Sequence, residues 1–223
     1  MSNTRAVWRL LSWFALLTAS GAHAQTLQND QLKVQIGASV ELSSLQIVHD
    51  AFPTNYVLSA SNARGQDTPD HAWVGELLLS YRKDGGAYTP ALTRQSSDVR
   101  KITQDGSSVV VSYEGSQSAQ GIRDFKLVER YALEADALRF SIELTNPGSA
   151  RIEIGDLGLP LPFNELWTAR DAIYEARTVY HSFTGQNSSY ITIGRPSGVG
   201  PLLLLTPDAS TGAGFEYMDS WRS

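Results

Sequence analysis

Cysteine is missing from all 223 residues. That excludes disulfides, thiolate metal sites and a cysteine nucleophile, and it leaves stability to a hydrophobic core. Past the first 24 residues no apolar run approaches the ~20 residues that a membrane-spanning helix needs. Basic residues are outnumbered, 18 Lys+Arg against 23 Asp+Glu, for a net charge of -5. They form no runs, so nucleic acid and anionic lipid are poor partners. Helical periodicity is scarce. The P-loop, the dinucleotide fingerprint and the G-x-S-x-G elbow are all missing, and the glycines from Gly194 to Gly200 surround Pro196 and read as a turn.

What is present starts with an address. Arg5 and Arg9 form a positive n-region, Leu10-Leu-Ser-Trp-Phe-Ala-Leu-Leu17 a short apolar h-region, and Ala22-His23-Ala24 an A-x-A cleavage site. The expected division is a signal peptide over 1–24 and one β-sandwich domain over 25–223, exported to a bacterial periplasm or exterior. No membrane association is expected after cleavage. The alternative, a single-span anchor, is disfavoured by the length of the run. Cleavage removes two arginines and no acids, which takes the net charge to about -7. A disulfide-free exported domain of this size fits a bacterial source, where Asn187-Ser188-Ser189 is a loop and not a glycosylation site.

The mature sequence is built from short alternating segments. Leu138, Phe140, Ile142 and Leu144 share one face, and Arg139, Ser141 and Glu143 the other; this is the period of a half-buried antiparallel strand. Phe125, Leu127, Glu129, Tyr131 and Leu133 alternate in the same way, and Glu134-Ala135-Asp136 suits the hairpin between the two segments. Further strands are expected over Leu32–Ile36, 39–48, 73–82, 109–113, 190–193 and 202–205, with turns at Gly37, Lys83–Gly86, Gln104–Gly106 and Asn146–Gly148. Ile152 and Ile154 have the opposite parity to Leu157, Leu159, Leu161 and Phe163, so a bulge is expected at Gly155. One helical stretch is expected over 164–174, with Asn164 as its N-cap. Strands at this spacing indicate an all-β, antiparallel β-sandwich. Residues 49–73 are long, polar and turn-rich with aromatic ends, as functional loops often are.

Three features carry a resemblance. Glu129-Arg-Tyr-Ala-Leu-Glu-Ala-Asp-Ala-Leu-Arg-Phe-Ser-Ile-Glu-Leu-Thr-Asn146 resembles the central strand pair of the galactose-mutarotase-like supersandwich. Gly155-Asp-Leu-Gly-Leu-Pro-Leu-Pro-Phe-Asn164 is similar to its following strand. Asp50-Ala-Phe-Pro-Thr-Asn-Tyr-Val-Leu58, Gln66-Asp-Thr-Pro-Asp-His-Ala-Trp-Val-Gly-Glu76 and Tyr190-Ile-Thr-Ile-Gly-Arg-Pro-Ser-Gly-Val-Gly-Pro201 resemble the amino-terminal β-domain of an exported bacterial domain-of-unknown-function family. The resemblance covers nearly all of 27–218. It implies a β-domain that precedes an (α/α) toroid, as in several glycoside hydrolases, glycoside phosphorylases and polysaccharide lyases. In such enzymes the catalytic acid usually sits on the toroid. The segment Phe215–Trp221 starts like a new element and the sequence stops two residues later, so the sandwich is expected to be incomplete at its C-terminus and the chain to be a fragment.

Sugars are held by aromatic faces against ring C–H surfaces and by carboxylates, amides and guanidinium groups on hydroxyls. The first candidate set is Asp67, Asp70, His71, Trp73 and Glu76, with Gln66 beside them; the competing reading is an Asx/Pro turn followed by a core tryptophan. The second set is Trp167, Arg170, Tyr180 and His181; there the competing reading is a structural histidine. A mutarotase mechanism would draw a Glu and a His from Glu76, Glu216, His71 and His181, and glycoside hydrolysis would draw a carboxylate pair from Asp67, Asp70 and Glu76. Asp67 and Asp70 could share a calcium ion, but His49, His71 and His181 lack ligand spacing, and neither metal nor cofactor is expected. The expected role is an accessory domain of an exported glycan-active protein, with an oligo- or polysaccharide and the toroid as partners. A lone carbohydrate-binding module, an aldose epimerase or glycan-cleaving enzyme, and a ligand-free structural module remain as alternatives.

Overall fold

The computed structural model describes residues 24–59, 72–115, 118–165, 179–183 and 190–208. The leader, Asp67, Asp70, His71, Trp167, Arg170 and Glu216 lie outside them, as does nearly all of the helix expected over 164–174.

Within the described residues the chain is a series of short antiparallel strands. In order these are β1 (Gln25–Gln28), β2 (Leu32–Ile36), β3 (Leu42–Ile47), β4 (Leu78–Lys83), β5 (Thr89–Leu92), β6 (Arg100–Asp105) and β7 (Ser108–Glu114). β8 (Lys126–Leu133), β9 (Leu138–Thr145), β10 (Ile152–Gly158), β11 (Tyr180–Phe183), β12 (Ile191–Gly194) and β13 (Leu203–Leu205) follow. A 3-10 helical stretch over Thr93–Val99 joins β5 to β6. The strands pair as β1-β2-β3, β10-β4-β5, β6-β7-β8-β9 and β11-β12-β13. The architecture is an antiparallel β-sandwich.

The alternation of the sequence is the alternation of burial. Val109, Val111 and Tyr113 of β7 and Leu127, Tyr131 and Leu133 of β8 face inward, where they meet Leu27, Val34 and Ile36 of the first sheet and Leu79 and Tyr81 of β4. Tyr81 sets its ring edge-on to Phe125, with centroids 5.1 Å apart. The bulge expected at Gly155 is there: the β10–β4 register shifts between Ile154 and Asp156. Ile154 and Leu157 therefore share the inward face with Tyr81 and Leu79, although both stay exposed at this sheet edge. The Asn146 turn closes through its own side chain, which accepts from Gly148 N–H and donates to the Ala150 carbonyl. β1, β5, β6 and β11 were not read from the sequence; three of the four have only four residues, too few for a period to show.

Two sheets are joined by chain that is not regular strand. Tyr56 N–H donates to the Leu45 carbonyl, Leu58 N–H to Pro162, Asn164 N–H to Tyr56 and Val179 N–H to Asn164. Val57 and Phe163 form an isolated antiparallel bridge. Residues 54–58 and 162–164 thus run side by side between β3 and β11, and one layer continues from β1 to β13. Side chains supply the remaining bonds: Asn55 Oδ1 accepts from Leu45 N–H, and the side-chain amides of Asn55 and Asn164 donate to the carbonyls of Ser43 and Asn55. Beneath this join Tyr56, Val179, Ile191 and Ile193 form a second core cluster.

Gly75 is a tight backbone position in the sandwich. It has φ +98°, and a Cβ there would lie 2.2 Å from the Tyr131 hydroxyl and 2.8 Å from the Val40 carbonyl. Gly75→Ala is expected to lower the unfolding free energy by at least about 1–3 kcal/mol, read from urea melts. An unchanged midpoint would mean that Tyr131 yields without cost.

Candidate functional site

The β11-β12-β13 sheet has two chemically different faces, set by its register. Tyr180 pairs with Gly194, His181 with Ile193, Ser182 with Thr192, and Thr192 in turn with Leu204. Residues opposite each other share a face. His181, Ile191, Ile193, Leu203 and Leu205 point inward against Tyr56 and Phe163. Tyr180, Ser182, Thr192, Gly194 and Leu204 point outward, and Tyr190 and Leu202 continue the alternation on either side. On this outer face Tyr180 is 51 % exposed, Tyr190 41 %, Leu202 63 % and Leu204 60 %.

At the end of β12 the Leu202 side chain closes over the outer face. Gly194 presents no side chain, and Leu202 Cδ1 lies 2.9 Å from where a Cβ on residue 194 would be. The Thr192 hydroxyl donates to the Ser182 carbonyl at 3.2 Å, holding β11 to β12 between the two tyrosines. Tyr190 stands four positions from Gly194, the residue opposite Tyr180, which sets the two tyrosines' Cα atoms roughly 13–14 Å apart along the strand direction. The sheet's own outward side chains carry no charge.

At one margin of this sheet stands a His–Glu pair. Glu165 Oε1 accepts from His181 N–H at 2.8 Å and lies 2.5 Å from His181 Nδ1. A carboxylate can only accept, so Nδ1 is the protonated nitrogen in this pair. The Phe163 ring packs 5.7 Å from the imidazole, centroid to centroid, and the Tyr180 ring lies 6.3 Å away at 24°. Glu165 was not singled out from the sequence, because it fell inside the segment read as a helix start. Its position two residues after the apolar run that ends at Phe163 is the signal that could have drawn attention to it.

Behind the sheet the turn after β12 is anchored by Arg195. Its guanidinium forms an ion pair with Asp50, and both side chains are buried, 0 % and 2 % exposed. Nε and Nη2 donate to the Thr54 hydroxyl at 3.0 and 2.8 Å, and Nη1 donates to the Val199 carbonyl at 2.9 Å. The Phe52 ring lies under the guanidinium, 5.0 Å from its centroid. Tyr56 donates its hydroxyl to the Pro201 carbonyl at 3.2 Å. Gly200, at φ +93°, passes so close that a Cβ would meet Arg195 Nη1 at 2.1 Å. This clamp joins the 50–58 and 190–201 segments.

Trp73 and Glu76 lie elsewhere, in the turn before β4: the strand expected over 73–82 begins only at Leu78. Both are buried, Trp73 against Leu58. Glu76 Oε2 accepts from Trp73 N–H at 3.0 Å and faces Arg94 at 3.7 Å. The structure therefore brings together Tyr180 and His181 from the candidate residues, adds Glu165, and places Trp73 with Glu76 in a separate buried turn. Among the described residues no three His, Asp or Glu side chains are grouped as a metal site would require.

Residues 37–222 match the model of a family of unknown function, DUF5695. The chain belongs to that family. No curated protein matches it. Among solved structures it is similar to a polysaccharide lyase, with 15% sequence identity and a TM-score of 0.48; the match covers 82% of this chain and 24% of that one. This chain thus spans about a quarter of the lyase's length. All three segments that carried the family resemblance lie inside the matched region, and the Arg195–Asp50 clamp ties two of them.

Breaking a buried ion pair leaves the surviving charge without compensation, at a cost of about 3–5 kcal/mol. Asp50→Ala and Arg195→Ala are each expected to destabilise the protein by that amount in urea melts. The double variant is expected to fall well short of the sum of the two. Full additivity would show that the two groups do not interact.

Proposed function

We propose that this DUF5695 member is an exported, carbohydrate-facing accessory domain that receives a saccharide chain on the outer face of β11-β12-β13. The observation that carries the reading is the pair of exposed tyrosines on one uncharged face, with hydroxyl side chains between them. Tyrosine rings offer apolar faces to sugar C–H surfaces at little conformational cost, and their hydroxyls bond the ring substituents. A spacing of roughly 13–14 Å suits contact with two non-adjacent sugars of one chain. Leu202 and Leu204 give an apolar footing beside the tyrosines, where a neighbouring helical domain would close the other wall of a cleft. Export belongs to the same proposal and rests on the leader pattern of the first 24 residues.

A second reading has its own observation. The Glu165–His181 pair is an oriented imidazole, the arrangement by which a carboxylate positions a general base. Two groups bonded to each other act as one unit and do not flank a sugar from both sides, as a mutarotase would require. The accessory reading is therefore preferred.

The test is affinity electrophoresis through neutral polysaccharides, with the wild type, Tyr180→Ala and Tyr190→Ala. Each substitution is expected to weaken binding by about 2- to 10-fold, the equivalent of 0.5–1.5 kcal/mol per ring contact. Retained affinity in both variants sinks the platform. A mutarotation activity lost in His181→Asn and kept in Tyr180→Ala would favour the second reading. N-terminal sequencing of the product from a bacterial host is expected to start at Gln25; an intact leader on an unexported product would remove the export part.

A further inference from the structure

Acidic side chains lie between the sheets with too few cations to answer them. Glu129 stands on the inward face of β8, between Leu127 and Tyr131, and is 0 % exposed. Its Oε1 has no hydrogen-bond partner, and its Oε2 reaches only the Tyr113 hydroxyl on β7, at 3.5 Å. On β9 the residue opposite is Ile142, which offers nothing polar. The Tyr131 hydroxyl could have donated, but it is committed to the Val40 carbonyl at 3.2 Å.

The neighbouring elements add charge of the same sign. Glu41, in the turn between β2 and β3, also has a buried Oε2 with no partner. Its carboxyl folds over Gly37, into space that a Cβ at 37 would fill, 1.9 Å from Oε1. Glu76, in the turn before β4, is occupied by Trp73 N–H and Arg94. Arg100 of β6 directs both terminal nitrogens to the carbonyls of Ser39 and Ala38. Among the described residues neither Glu41 nor Glu129 forms an ion pair.

We propose that Glu129 is a proton-operated latch: with its proton bound the sheets close over it, and on losing the proton it drives the corner of Val40, Gly75 and Tyr131 apart. An ionised carboxylate with an orphaned oxygen in this position would carry a large desolvation penalty, whereas a neutral carboxyl carries a small one. Burial is the largest influence on Glu129 and pushes it up to about 8; the hydrogen bond from Tyr113 and the charge of Arg100 act against this, and the charge of Glu76 adds to it. Burial also raises Glu41, against backbone hydrogen bonds from Glu41 and Ser39 and the charge of Arg100, while the charge of Glu76 adds to the rise. Burial keeps Tyr113 and Tyr131 neutral by raising both.

The direction follows from linkage. The folded carboxyl holds its proton up to about pH 8, whereas in the unfolded chain a glutamate releases its proton near ~4.3. The stabilisation is complete below the unfolded value and is lost as pH rises through that window to about 8. Across most of the window the unfolding constant grows by about tenfold per pH unit from this group. The latch is tight in mild acid and slack in mild alkali.

The experiment is urea unfolding at pH 5, 6, 7 and 8 of the wild type and Glu129→Gln, which keeps the shape but cannot ionise. The variant is expected to match the wild type within about tenfold at pH 5, and its advantage in folding constant is expected to grow by several hundredfold, roughly 400-fold, between pH 5 and pH 8. Parallel profiles overturn the latch. Infrared titration of the wild type reads the carboxyl even if the variant does not fold. A protonated-acid carbonyl band that persists at pH 6–7 and disappears as pH passes 8 is the expected result. Its absence at pH 6–7 overturns the proposal.

Discussion

The buried Arg195–Asp50 pair is the constraint on which the second half of the molecule depends. It joins residues 145 positions apart in the chain, and each partner is hidden from water. The guanidinium also has donors left over, and Thr54 and the Val199 carbonyl use them. A charge buried in this way is tolerated only when its lone pairs and protons are nearly all answered. That requirement fixes the 50–56 loop and the 195–201 turn against each other. Because β12 leads directly into Arg195, the clamp also sets the height and tilt of the β11-β12-β13 sheet. The tyrosines on the outer face therefore stand on a buried ion pair, not on a flexible loop.

Much of the sandwich was legible in the sequence, since period-2 patterning and turn chemistry are local properties. β8, β9 and the turn between them appear as read, and so does the Gly155 bulge, because parity is a property of consecutive residues. The segments that escaped were too short or too polar to show a period, as with β1 and β6. The clamp was illegible for another reason. Nothing local marks Asp50 and Arg195 as partners, since an ion pair across 145 residues is a tertiary fact. Trp73 and Glu76 were singled out for their side-chain chemistry, and the structure shows both engaged with neighbours in a buried turn.

Glu129 lies between these cases. The alternation Phe125, Leu127, Glu129, Tyr131, Leu133 put an acid on an apolar face in plain view. An ionisable group in the middle of an inward-facing row is a contradiction between two local rules. Such contradictions mark strained or functional positions more often than ordinary core. Glu165 had no comparable flag, because a helix start was an acceptable home for it. Its pairing with His181 depends on how 163–165 runs beside 179–181, which follows from the packing of distant segments.

The irregular join at 54–58 and 162–164 also bears on how the chain reaches this state. β6 to β9 pair between chain neighbours, and β1 to β3 do the same, whereas β4 also pairs with the distant β10. The β11-β12-β13 unit can dock only when three distant stretches meet at once: the loop after β3, the segment after β10, and Arg195. Closing such large loops comes at an entropic cost before any contact rewards it, which slows folding. The bonds at the join are partly side chain to backbone, from Asn55 and Asn164, and not a continuous ladder. Docking of this unit is therefore expected to come late in assembly, and the join is where the layer is expected to come apart first in a partial opening.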